Sequence, residues 1–253
     1  MKQIWIIAKN TFLETVREKI LYAIIGFSLL VIVASLLAGS ISLGQDVRVI
    51  QSFGLTSMLV FLLIITIFTG TQMLFRETER KTIYLTLTKP VSREVFYLGK
   101  FTGLAMVVAA SAALMGAVFV VLIWVKGGSV ASANYWAILF IILECWLITA
   151  LGMLFGSFTA PISSAIYSFG LILIGHSSTT IYILSKKSAP SISYLLQGVY
   201  YLFPNLEKFN LRNEVVYSLS PDLSQIISVL GYFIGFTALL VFLGVSIFRR
   251  NEF

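Results

Sequence analysis

Residues 127–185 read GGSVASANYWAILFIILECWLITALGMLFGSFTAPISSAIYSFGLILIGHSSTTIYILS, 59 residues with a single charged side chain, Glu144. A helix needs roughly 20 apolar residues to cross a bilayer, so this run is long enough for two crossings. Thr159-Ala160-Pro161-Ile162-Ser163-Ser164 supplies the turn between them, because Pro161 cannot continue a helix. Four more charge-free stretches lie outward from it: Ile20–Gln45, Val49–Phe75, Phe101–Val125 and Leu223–Phe248, of 26, 27, 25 and 26 residues. Each holds one crossing. The expected fold is therefore an all-α integral membrane protein with six transmembrane helices, at 20–43, 53–74, 101–125, 135–158, 163–184 and 226–248. No strand-like alternation of about ten residues recurs, as a membrane barrel would require.

Composition agrees. Of 253 residues, 58% are apolar and 11% charged, where soluble domains carry about 25% charge. That excludes a soluble enzyme, a disordered tail and a disulfide scaffold. The lone cysteine, Cys145, sits in an apolar run and can form neither an internal disulfide nor a cysteine metal cluster.

An even number of crossings leaves both termini on one side. That side holds 12 basic residues, in the N-terminal tail, in the connection between the second and third crossings, and at Arg249 and Arg250, against 6 on the other side. The positive-inside rule places the richer side in the cytoplasm. The net charge of +7 is thus mostly topology, and no nucleic-acid partner is expected. Residues 1–19 are not a cleaved signal peptide. The first crossing is too long for an h-region, and Glu14 and Glu18 interrupt the basic leader. Ile4, Ala8, Phe12 and Val16 repeat every four residues beside Trp5 and Leu13, the pattern of a helix lying at the membrane surface. Without a linker, low-complexity segment or repeat, residues 1–253 read as one transmembrane domain, with an interfacial helix at 1–19, a cytoplasmic loop at 75–100 and an external segment at 185–225.

The loop reads FRETERKTIYLTLTKPVSREVFYLGK. Glu77, Thr78, Glu79, Arg80 and Lys81 open a short charged helix. Pro90 stops it by excluding its predecessor from helical geometry, and Ser92 is placed to cap the next helix. A short helix, a rigid stop and a fresh helix can pass a push from a soluble partner to two crossings. An ordinary charged loop obeying the positive-inside rule has the same composition.

The order of these residues separates the two readings. Glu79, Arg80, Lys81, Thr82, Leu87, Lys89-Pro90-Val91-Ser92-Arg93 and Gly99-Lys100 resemble the loop of permease subunits of type-two ABC transporters. The similarity is strongest to the multicopper-enzyme maturation branch, typified by the permease of nitrous-oxide-reductase assembly. Lys81 stands where many relatives carry glycine. The resemblance spans essentially the whole chain. It implies that residues 77–88 form a coupling helix docking into a cytoplasmic ATPase dimer, with Glu77, Glu79, Arg80 and Lys81 making charged contacts and Pro90 and Arg93 fixing the link to the third crossing. No GxxxxGK[ST] phosphate loop occurs in the chain. The ATPase is therefore expected on a separate polypeptide, with ATP and magnesium used there and no cofactor bound here. Two copies of this chain, or one with a related permease, would pair with that dimer in the inner or plasma membrane of a prokaryote.

Two polar residues fall inside crossings. Glu144 lies nine residues after Tyr135, and His176, the only histidine, eight before Leu184. At 1.5 Å per residue both sit roughly 12–14 Å from the external ends of their helices, so contact is possible. A carboxylate at a span centre costs on the order of 2.5–3.5 kcal/mol on insertion scales, so Glu144 must face protein or a wet cavity. Leu143-Glu144, Thr149-Ala150-Leu151 and Gly175-His176 also resemble recurrent features of that branch. A buried pair stabilising the bundle and a group on the transport path remain open; two ligands without a third do not make a metal site. Gly99-x3-Gly103, Gly152-x3-Gly156 and Gly231-x3-Gly235 permit close helix approach. The external segment, with its apolar stretch from Ile192 to Phe203, reads as one or two short helices dipping into the outer leaflet, where a substrate or periplasmic partner could engage.

The leading expectation is a non-catalytic permease subunit coupling a separate ATPase to export. The alternatives are a mechanotransmission module acting on a periplasmic partner, and a secondary transporter moving protons through Glu144 and His176.

Overall fold

A computed structural model describes residues 2–17, 21–41, 46–79, 92–217 and 219–250, with side chains for all of these except 21, 23, 35, 36, 38–41, 46 and 74–79. The elements are α1 Lys2–Thr15, α2 Leu21–Ile41, α3 Asp46–Glu79, α4 Arg93–Val125, α5 Ser132–Gly156, α6 Pro161–His176, α7 Ser178–Lys187, α8 Pro190–Leu202, a 3₁₀ turn Leu206–Phe209, α9 Arg212–Val216 and α10 Leu223–Arg250. No strand occurs among the described residues.

Four helices are long and apolar enough on their own to cross a membrane: residues Val47–Met73 of α3, and α4, α5 and α10. The fifth predicted crossing, 163–184, is not one straight helix. It is the pair α6 and α7, bent by 58° at Ser177, and it makes a fifth crossing only if the two are taken as one span. The first predicted crossing falls on α2, whose described apolar stretch is Ile24–Ala34. Pro161 does start a new helix. It is the first residue of α6, where its fixed φ suits helix entry and its missing N–H leaves no partner unsatisfied.

The bundle is organised around α5. Two thirds (67%) of its apolar window is buried, against 11% for α10, so α5 is the central post and α10 the outer one. Phe27, Leu62, Val108, Met115, Phe119, Phe140 and Leu147 join α2, α3, α4 and α5 in one core. Small residues bring α3 against α5. A Cβ at Gly152 would stand 3.5 Å from the Gly70 carbonyl carbon, and one at Gly156 would stand 3.1 Å from the Thr71 oxygen. Ser164 Oγ of α6 donates to the Gly152 carbonyl at 3.3 Å.

The Gly99-x3-Gly103 pair serves a different helix. A Cβ at Gly99 would collide with Ile7, and one at Gly103 with Thr11 and the Ala8 carbonyl, so α1 lies directly on α4. Its buried face runs through Ala8, Thr11 and Thr15, while Val16, predicted on that face, is exposed. The face is rotated because small side chains, not the largest apolar ones, allow this approach. Trp5, Ile6 and Leu13 point outward. Gly231 and Gly235 differ again. Neither would meet a described atom within 4 Å, so they mediate no packing within the described bundle.

Residues 185–225, expected to be an external segment, divide in two. No residue of α8 is buried, as expected of a surface helix. Leu206, Phe209, Leu211 and Val215 are core residues instead, and the segment that carries them folds back against α3, α5 and α6. Alternation with Asn205, Glu207, Lys208, Asn210 and Arg212 disguises this plug as a solvated loop.

Candidate functional site

At the end of the bundle where α4 begins, the loop end, α3 runs unbroken to Glu79. Glu77 and Glu79 therefore belong to its last turn rather than to a separate helix. Their side chains, and the whole of Arg80, Lys81 and Pro90, lie outside the described residues. Ser92 caps α4, its hydroxyl accepting from the Val95 N–H at 3.4 Å. Arg93 is thereby set at the first turn, where its guanidinium donates to the Arg249 carbonyl at 3.0 Å. Arg249 in turn donates to Glu94 at 3.2 Å. The segment leaving the loop thus holds the last turn of α10, and six residues further along it packs on α1.

The second cluster lies toward the far end. Glu144 is buried in α5, 1% exposed, and its Oε1 stands 3.0 Å from His176 Nε2. The approach is close but off-line, for Oε1 has no well-directed hydrogen bond. His176 closes α6. Its position there follows from the break. The Ser177 N–H turns back onto the carbonyls of Leu173 and Ile174, and Ser178 Oγ donates to Ile174 at 3.2 Å. These bonds satisfy backbone groups that a break at membrane depth would otherwise strand.

The other imidazole nitrogen faces a partner that sequence reading missed. His176 Nδ1 lies 3.8 Å from Glu207 Oε2. Glu207 is held in the 3₁₀ turn by Asn205, whose side-chain oxygen accepts from its N–H at 3.1 Å, and by Asn210, which donates to Oε1 at 2.6 Å. Asn210 accepts from Arg212 Nε at 2.8 Å. A continuous polar chain therefore runs from the centre of α5 through the α6–α7 bend into the plug and α9. The plug is anchored on two sides. A Cβ at Gly175 would stand 2.6 Å from Leu206 Cγ and 2.8 Å from the Pro204 carbonyl, so only glycine admits the turn there. On the other side the Asn205 N–H donates to the Tyr232 hydroxyl of α10 at 2.6 Å, and Lys208 Nζ lies 4.3 Å over the Tyr232 ring.

Each nitrogen of His176 faces a different carboxylate, so the imidazole bridges Glu144 and Glu207 rather than chelating with them. Among the described residues no group of three or more His, Cys, Asp or Glu side chains could hold a metal ion. Through the imidazole the cluster links α5, the bend and the plug. The one available signal for Glu207, Asn210 and Arg212 was an Asn-Leu-Glu-Lys-Phe-Asn-Leu-Arg run with large apolar residues between its polar ones.

Compared with known proteins, residues 5–253 match the family described as ABC-2 family transporter protein. No curated protein is similar enough to match the chain.

Proposed function

We propose that this chain, which belongs to the ABC-2 family of transporter proteins, is the subunit through which a separate cytoplasmic ATPase drives export of a substrate. Membership makes it a multi-pass membrane permease of an ABC transporter, in a family that associates with an ABC ATPase and whose membrane subunits are typically non-catalytic. The chain crosses six times, with α2 first and α6–α7 as one broken crossing, and both termini face the cytoplasm of a prokaryotic cell. Residues 77–88 dock on the ATPase through Glu77, Glu79, Arg80 and Lys81, and Pro90 and Arg93 aim α4. ATP and magnesium belong to the ATPase dimer. A second copy of this chain, or a related permease, completes the pathway. Multicopper-enzyme maturation is the branch whose motifs the loop resembles.

One observation carries the coupling. Arg93, at the exit of the loop, holds the Arg249 carbonyl at the end of α10, and Tyr232 of the same helix holds Asn205 of the plug. The 17 residue steps from Tyr232 to Arg249 make a rigid rod of roughly 25 Å at 1.5 Å per residue. A push on the loop moves α10, α10 moves the plug, and the plug separates Glu207 from His176. In this mechanism the polar chain is the latch of an outward gate, and closure of the ATPase supplies the force that opens it.

A second reading, motion delivered to a periplasmic partner without passage of a solute, is favoured by α8. That helix buries nothing and exposes Tyr194, Leu195, Tyr201 and Leu202. Activity in proteoliposomes without any ATPase would instead support proton-coupled transport through Glu144 and His176. The docking assignment is tested by purifying the tagged chain from its native membranes. A stoichiometric ATPase is expected to accompany it and to be lost in Glu79→Arg; unchanged co-purification would remove the assignment.

A further inference from the structure

His176 stands at the α6–α7 bend with a carboxylate on either side, Glu144 Oε1 at 3.0 Å from Nε2 and Glu207 Oε2 at 3.8 Å from Nδ1. We propose that this bridge is a proton-controlled latch. With a proton on both imidazole nitrogens it holds the plug to the bend, and loss of one proton as the pH rises loosens the plug. Resting on the gate proposed above, this adds what regulates that gate.

An imidazole offers different groups in its two charge states. Neutral, it has one N–H and one lone pair; protonated, it has two N–H groups and a positive charge. Between two carboxylates the neutral ring turns its lone pair toward one of them, and that contact repels. Only the imidazolium attracts both. Protonation of histidine at such a junction is a recognised way to bias a packed interface.

The other charges nearby do not take its place. Among the described residues, the groups acting on the imidazole are Glu144 from α5, Glu207 from the 3₁₀ turn and Arg212 from α9. Arg212 directs its Nε to Asn210 at 2.8 Å. Lys208, next to Glu207, is turned onto the Tyr232 ring. On α7, Lys186 lies over Tyr182. Beside Ile172, one turn before the histidine, α3 presents the apolar Leu63 and Ile67.

Two features convert a change of charge into movement of the plug. Glu207 is fixed. Asn210 donates to its Oε1 at 2.6 Å, leaving Oε2 to face the imidazole, and Asn205 holds its N–H at 3.1 Å. A swing of the carboxylate alone would break these bonds, so repulsion acts on the whole turn. The ring is also within reach of the medium. Its side chain is 24% exposed and that of Glu207 35%, against 2% for Glu144. The proton therefore exchanges on the plug's side.

His176 is the only histidine, so ¹⁵N-histidine labelling reports this ring alone. In nanodiscs holding the chain with its ATPase, the ¹⁵N shifts are read from about pH 5 to about pH 9, either side of the range in which histidine exchanges its proton. Spin labels at Lys187 and Asn213 report the separation of the end of α7 from the plug over the same series. Both nitrogens are expected to be protonated while that distance is short, and the population at a longer distance to rise several-fold as one proton is lost. His176→Gln, which has no such proton to lose, should abolish the rise. A ring with one bare nitrogen while the plug is closed would overturn the proposal, and so would a distance unchanged through the titration; neither reading depends on the variant. A pH response retained in folded His176→Gln would overturn it too. Trapping the ATPase with ATP tests the gate separately. A distance that lengthens with ATP but not with pH removes the proton control and leaves the gate. One that lengthens with pH alone supports the proton control and removes the ATP-driven gate.

Discussion

Glu144 was legible because charge is so scarce; one carboxylate in 59 residues cannot be overlooked, and the only histidine is as conspicuous. Glu207, Asn210 and Arg212 were not legible, because charges spaced along a connection look solvated until a fold buries the apolar residues between them. Burial also ranks what their removal does. Taking one partner from a buried pair costs roughly 3–5 kcal/mol, whereas a partly exposed ion pair is worth about 0–1 kcal/mol. Glu144→Ala should therefore lower the melting temperature of the purified protein far more than Glu207→Ala, while both impair ATP-driven transport. Equal melting shifts would deny Glu144 its buried place. Gly175→Ala forces a methyl into Leu206 and the Pro204 carbonyl. An overpacking cost of about 1–3 kcal/mol is expected, together with faster thiol labelling of a cysteine placed at Asn205; labelling at the unaltered rate would contradict the contact.

Among the elements, the charge gaps located the apolar helices, and Ser92 and Pro161 marked two helix starts because each acts through its own backbone chemistry. The bend at Ser177 escaped notice, since no proline marks it and the serines that satisfy it are unremarkable in a membrane helix. Glycine spacing alone could not say which helix would approach. Gly99 and Gly103 receive α1, Gly152 and Gly156 receive α3, and Gly231 and Gly235 receive nothing described. The consequence is a contrast among similar substitutions. Gly103→Val should detach α1 from α4, seen as loss of a disulfide cross-link between cysteines engineered on those helices. Gly235→Ala should leave stability within about 0.5 kcal/mol, as at open sites generally. A large loss of stability in the purified monomer of Gly235→Ala would show that this face is packed after all.

On the scale of the whole molecule, α10 connects the loop end to the far end. Neither end of that connection was foreseen: Arg93 belongs to a readable motif but was expected to fix the link to the third crossing, and Tyr232 belongs to no motif. The clamp at Arg93, Glu94 and Arg249 is solvent-facing, with Arg249 72% and Glu94 51% exposed, so it adds little to stability. Arg93→Ala should therefore fold and bind the ATPase normally, yet hydrolyse ATP without driving transport; a variant that transports at the normal rate would remove the clamp from the mechanism. The most direct measurement is the distance across the gate during the ATP cycle. Spin labels at the exposed positions Lys187 of α7 and Asn213 of α9, read by double electron–electron resonance in the ATPase-bound complex, report the separation of the end of α7 from the plug. Trapping the ATPase with ATP should lengthen that distance in the unaltered chain and leave it unmoved in Arg93→Ala. A distance that stays the same in the unaltered complex while ATP is bound would contradict the account.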